Sequence, residues 1–205
     1  MGRTGAYPAG VRIVWWNGAS LAPRASEDFD FFANNPFDPE ALRKAIPYLE
    51  NAEMSQFETN TLTAIVDRES PVKVSFFGGL KLNCVHEPEI AADNRIQVAS
   101  VLDIAATKLA TIQQRAQARD YEDLAAVLGT GISLSEMLGA ASAVYGKQFN
   151  GALTLKALTY FSDGDLPNLS TGTQQKLRAL AGEVNLRNIP LMKARTGLTG
   201  TEVQR

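Results

Sequence analysis

The chain has 205 residues, 45% hydrophobic and 20% charged, the make-up of an ordinary globular protein with a substantial core. A net charge of −2 provides no global basic field, so any nucleic-acid partner would need a local basic patch. One cysteine, Cys84, and one histidine, His86, exclude a disulfide framework within the chain, a multi-cysteine zinc site and a histidine-rich metal centre.

Cys84 reads as apolar filler rather than as a nucleophile. No segment reaches the ~18 consecutive apolar residues that span a bilayer. The N-terminus has neither the apolar run nor the small-residue cleavage site of a signal peptide. A cytoplasmic protein with no membrane partner is the expectation.

Val11-Arg12-Ile13-Val14-Trp15-Trp16 is β-branched and aromatic, which predicts a strand. Paired tryptophans near a chain end suit a packed edge or an interface. Asn17-Gly18 breaks the strand, and Pro23 precedes Arg24-Ala25-Ser26-Glu27-Asp28-Phe29-Asp30-Phe31-Phe32. In an extended segment Asp28 and Asp30 project from one face, and Phe29 and Phe31 from the other. Two carboxylates held so close repel unless a cation sits between them, and a hard ion such as Mg²⁺ suits their oxygens. A solvated strand edge with two chance aspartates is the competing reading.

A turn at Asn34-Asn35-Pro36 leads to Asp38-Pro39-Glu40, an N-cap with proline at the first helical position. That helix is expected to run to about Leu49 with Leu42 and Ile46 inward, unless Pro47 ends it early. Asn60-Thr61-Leu62-Thr63-Ala64-Ile65-Val66 and Val72-Lys73-Val74-Ser75-Phe76-Phe77 alternate and form a predicted hairpin through the polar link Asp67-Arg68-Glu69-Ser70-Pro71, with Gly78-Gly79 ending the second strand. Val72, Val74 and Phe76 share one face of the second strand; Lys73, Ser75 and Phe77 share the other. A short strand around Ile96-Gln97-Val98 follows.

From Ser100 the period becomes helical: Leu102, Ala105, Ala106, Leu109, Ile112 and Ala116 recur at three- and four-residue steps. Lys108, Arg115 and Arg119 then form one basic stripe on that helix. Further helices are predicted from Asp120 to Leu128, after the capping box Ser133-Leu134-Ser135-Glu136, from Asn150 to Tyr160, and from Gln174 to Ala181. The fold class is α+β, with a small mixed sheet in residues 1–99 and a helical bundle in 100–194. Residues 195–205 read as a frayed tail.

Two segments together resemble the AbiEii/AbiGii toxin family, nucleotidyltransferase-like proteins of bacterial abortive-infection and toxin–antitoxin systems. One is the Asp28-Phe29-Asp30-Phe31-Phe32 strand. The other runs from Lys108-Leu109 to Arg115 and on through Arg119-Asp120-Tyr121-Glu122-Asp123-Leu124. The similarity covers about residues 24–170, including Tyr160-Phe161-Ser162-Asp163-Gly164-Asp165-Leu166-Pro167.

The resemblance implies a polymerase-β-like nucleotidyltransferase core. Asp28 and Asp30 would be the catalytic pair and would hold Mg²⁺ (or Mn²⁺) on a nucleoside triphosphate. Lys108, Arg115 and Asp120 would complete the nucleotide site, and Ser26 and Lys73 join the candidate nucleotide-binding residues. Phosphoryl-type transfer needs metal ions, cationic clamps and positioning more than covalent chemistry. The competing reading of Arg115, Arg119, Asp120 and Asp123 is a surface ion-pair cluster at a helix junction.

The chain departs from the family pattern twice. A glycine-glycine-serine turn and helix normally precede the paired aspartates, whereas here Gly18-Ala19-Ser20 lies too close to Asp28 and Pro23 intervenes. The third carboxylate of the family falls on Ser75, a poor ligand and no base at neutral pH, with Glu58 and Asp67 as possible substitutes. The expected activity is transfer of a nucleoside monophosphate to a hydroxyl of an RNA, tRNA among the candidates, or of a protein, with a cognate antitoxin as partner. The alternative is a catalytically weak or inactive protein of the same fold that binds a nucleotide or a partner.

Overall fold

The computed structural model describes residues 28–90 and 97–197 and the backbone of 14–16. The sheet strands are β1 (Val14–Trp16), β2 (Asp28–Phe32), β3 (Glu53–Glu58), β4 (Thr61–Val66), β5 (Val72–Phe77), β7 (Glu89–Ile90) and β8 (Gln97–Val98), ordered β3-β4-β5-β2-β1-β8-β7. A separate two-stranded ribbon pairs β6 (Asn83–Cys84) with β9 (Arg195–Thr196). β2 runs parallel to β5 and β1 parallel to β8; the remaining sheet pairs are antiparallel. Strand β1 therefore lies inside the sheet, between β2 and β8, not at its edge.

One sheet face carries an apolar core closed by α1 (Pro39–Ala45) and the 3-10 turn Pro47–Leu49. Helix α1 starts where the sequence predicts: the Asp38 carboxylate accepts the Glu40 N–H at 3.1 Å. It stops at Ala45 because Ile46, preceding Pro47, is held extended. Leu42, Ile46 and Leu49 from this segment bury against Phe31, Leu62, Ala64, Val74 and Phe76 of the sheet. The Phe31 and Phe76 rings, opposite each other in the parallel register, stack at 4.8 Å.

A second core lies among α2 (Val101–Thr111), α3 (Ala118–Gly129), α4 (Leu134–Tyr145), α5 (Gly151–Ala157) and α6 (Thr171–Glu183). Ser100 caps α2, accepting the Asp103 N–H, and the buried Asp103 carboxylate accepts the N–H groups of Val85 and His86. The capping box at Ser133 and Glu136 opens α4 as its sequence predicts.

Three expectations need correction. The helix from Ser100 does not carry Lys108, Arg115 and Arg119 as one stripe. It ends at Thr111, so the three cations sit on α2, on a linker and in the first turn of α3. Outside contacts shape that linker: Asp165 accepts the Ala118 N–H at 2.6 Å, and Gly164 (φ +54°) lies so close that a Cβ there would strike the Ala116 carbonyl oxygen. The segment Glu53–Glu58, not anticipated as a strand, is β3 at the sheet edge. The tail is not frayed throughout, because Arg195 and Thr196 pair with Cys84 and Asn83.

Candidate functional site

The alternation in β2 turns Phe29 and Phe31 into the core beneath α1 and sets Asp28 and Asp30 on the opposite face. Strand β5 alternates in the same sense, with Val72, Val74 and Phe76 inward and Lys73, Ser75 and Phe77 lining a cleft. The parallel register sets Asp28 beside Lys73 and Asp30 beside Ser75. Burial pushes the Asp30 carboxyl above the ordinary carboxylate range. The hydrogen bond donated by the Ser75 hydroxyl and the Lys73 charge oppose that shift, and the Asp28 charge adds to it.

The facing wall is helical. Arg115 from the linker and Arg119 from α3 line the same cleft, and Arg119 Nη1 stands 4.0 Å from Asp28 Oδ2. Their side chains are 44% and 48% exposed, so both are open to a ligand. Behind them lies a closed ion cluster. Asp120, with 0% of its side chain exposed, accepts from Lys108 Nζ at 2.9 Å, from Arg115 Nε at 2.8 Å and from Arg115 Nη2 at 3.2 Å. Lys108 Nζ also reaches Asp123 Oδ2 at 2.7 Å. Burial alone would raise the Asp120 carboxyl; the hydrogen bonds from Arg115 and Lys108 outweigh it and hold the group below its usual value.

The cleft has a volume of about 610 Å³, within the range of small-molecule sites. It brings together Asp28, Asp30, Lys73 and Arg115 from the sequence-derived candidates. Lys108 and Asp120 reach it indirectly: Lys108 contributes its charge to Asp30 from behind the lining, and Asp120 acts through the two cations it holds. Ser26 lies outside the described residues, as do Gly18, Ala19, Ser20 and Pro23. Glu58 and Asp67 are exposed and neither lines the cleft. Among the described residues no group of three or more acidic, histidine or cysteine side chains could hold a metal.

Five contributors escape sequence reasoning. Ser55, Gln56 and Thr63 line the end of the cleft formed by β3 and β4. Asp165 and its neighbour Gly164 set the linker that carries Arg115. The Asp163-Gly164-Asp165 run was a usable signal for the last, since such residues fit tight turns.

Residues 14–188 match the family described as nucleotidyl transferase AbiEii toxin, type IV TA system. An uncharacterized protein of Aquifex aeolicus (strain VF5) is 30% identical over 143 residues, covering 68% of this chain and 67% of that protein. Among the described residues no single helix is long and apolar enough to cross a membrane. The family match takes in both the aspartate strand and the linker facing it, and this chain belongs to the AbiEii family of nucleotidyltransferase toxins of type IV toxin–antitoxin systems.

Proposed function

We propose that the cleft transfers a nucleoside monophosphate from a nucleoside triphosphate to a hydroxyl group, in an Mg²⁺- or Mn²⁺-dependent reaction. One observation carries this reading: two carboxylates on one strand face, with Lys73 beside them on the next strand, look across a cleft at Arg115 and Arg119. The donor set fits the ion. Mg²⁺ typically takes one or two protein carboxylates and completes its shell with water and substrate phosphate, and Asp28 and Asp30 supply such a pair. When bound, the ion neutralises charge on the transferred phosphate. Lys73, Arg115 and Arg119 orient the triphosphate and oppose its charge, and the sheet wall fixes the aspartates on a packed support.

A cognate antitoxin is the expected partner, as the family's toxin–antitoxin description suggests. An RNA hydroxyl, with tRNA as one candidate, is the acceptor we favour. The test is incubation with each of four labelled nucleoside triphosphates, Mg²⁺ or Mn²⁺, and total RNA or lysate. Transfer of label to a macromolecule, lost in Asp28→Asn, supports the reading; no transfer with any triphosphate refutes it.

A second reading rests on Ser75, which occupies the strand position next to Asp30 and is 1% exposed. With no carboxylate there to draw a proton from the attacking hydroxyl, a protein that binds nucleotide and transfers it slowly is the alternative. Single-turnover kinetics with saturating triphosphate separates the two.

A further inference from the structure

The cleft is chemically lopsided. Its charged groups gather around Asp28 and Asp30, while the end formed by β3 and β4 is lined by Ser55, Gln56 and Thr63, all neutral and all able to form hydrogen bonds. Strand register explains how they come to be there. Asp30 lies opposite Ser75, Ser75 opposite Thr63, and Thr63 opposite Gln56, so one polar row crosses four strands. At ~4.8 Å per strand the row spans ~14 Å from Asp30 to Gln56.

The last member of the row depends on an irregularity. Strict alternation would place Met54 and Gln56 on the same face. Met54 packs into the core beneath α1, opposite Ala64, so a regular strand would bury Gln56 there as well. The pairing instead shifts between Met54 and Gln56, with Ser55 as the extra residue, and both Ser55 and Gln56 turn into the cleft. Bulges of this kind re-aim side chains at functional sites. The Ser55 hydroxyl donates to the Thr63 carbonyl at 3.3 Å, which fixes the bulge. Among the described residues neither the Gln56 carboxamide nor the Thr63 hydroxyl has a hydrogen-bond partner, and Thr63 is only 5% exposed.

We propose that Ser55, Gln56 and Thr63 form the subsite for the uncharged nucleoside portion of the triphosphate, with the Gln56 carboxamide reading the edge of the base. A carboxamide presents one acceptor and two donors in a plane, which matches the donor–acceptor edge of a nucleobase. Triphosphate at the cationic end and base at the neutral end use the whole cleft without burying an unpaired charge. The inference rests on the nucleotide-transfer reading of the same cleft and adds which residues select the nucleotide.

The test measures equilibrium binding of each of the four nucleoside triphosphates, and of inorganic tripolyphosphate, in the presence of Mg²⁺. The proteins are the full chain, Gln56→Ala and Thr63→Val. Gln56 is exposed at an edge strand, so its truncation leaves folding intact. We expect the native chain to prefer some triphosphates over others. Gln56→Ala should shrink that preference about tenfold, within the range of one bidentate base contact, and leave tripolyphosphate affinity unchanged. Thr63→Val should weaken all four triphosphates and spare tripolyphosphate.

Triphosphates that bind the native chain without preference would overturn the proposal, as would a preference untouched in Gln56→Ala. A native chain that binds no triphosphate would refute the transfer reading itself, and this inference with it.

Discussion

Asp120→Asn removes one charge from a cluster whose two carboxylates are buried. Asp120 takes three hydrogen bonds from two cations, and breaking a buried pair by deleting one partner costs ~3–5 kcal/mol. Two features favour the lower end. Lys108 keeps Asp123 at 2.7 Å, and the half-exposed Arg115 can turn to water. Asp120→Asn should therefore lose ~3 kcal/mol near neutral pH, or ~6–12 °C in Tm for a chain of this size.

The loss must also depend on acid in a defined direction. The folded Asp120 carboxyl sits below its ordinary value, so its contribution is complete above the unfolded pKa of ~3.9 and fades as pH falls through the folded one. Urea unfolding of both proteins from pH 7 downward measures the gap. A difference below ~1 kcal/mol at neutral pH, as exposed ion pairs give, would refute the buried-clamp account. So would a gap that acid leaves unchanged.

Asp30→Asn should behave in the opposite sense. Burial raises the Asp30 carboxyl, so the folded chain loses stability as pH rises from the unfolded value through the higher folded one. The neutral variant should melt higher than the native chain at pH 7 without divalent ions, while label transfer falls ~100-fold or more; paired melting and transfer assays check both. Gly164→Ala should cost ~2–4 kcal/mol, since it combines a left-handed backbone with a clash against Ala116. Because that loop sets the linker, the same variant should raise KM for the triphosphate, which steady-state kinetics would detect.

The aspartate strand and the hairpin beside it were legible because one face of β2 and β5 packs on the core and the other borders the cleft, and alternation alone then sorts charge from core. Strand β3 was not. Its one-residue bulge at Ser55 breaks the period of two, so Glu53-Met54-Ser55-Gln56-Phe57-Glu58 shows no pattern. The end of α2 was hidden for a different reason. Ile112 and Ala116 still face the helical core after the helix stops, so apolar spacing continues through a stretch that has no helix. What shapes that stretch is the contact with Gly164 and Asp165, nearly fifty residues downstream, which no local window contains. The split of the basic stripe, and with it the sharing of Arg115 and Arg119 between cleft and clamp, follows from that contact.

The ribbon of β6 and β9 closes a loop of more than a hundred residues with only two residue pairs, aided by an Arg195–Glu87 ion pair. Closing so long a loop carries an entropic cost that so short a ladder barely offsets. Its opening should therefore be among the cheapest excursions the described fold makes. Within it lies Cys84, whose thiol donates to the Gly197 carbonyl at 3.3 Å and is pushed up to about 11, chiefly by burial and then by Asp103. In the closed ribbon that thiol is inert, and it becomes reactive as the ribbon lifts. The chain thus carries its own chemical clock: the rate at which a thiol reagent labels this one cysteine reads how often the end of the chain lets go, with no label placed in the cleft.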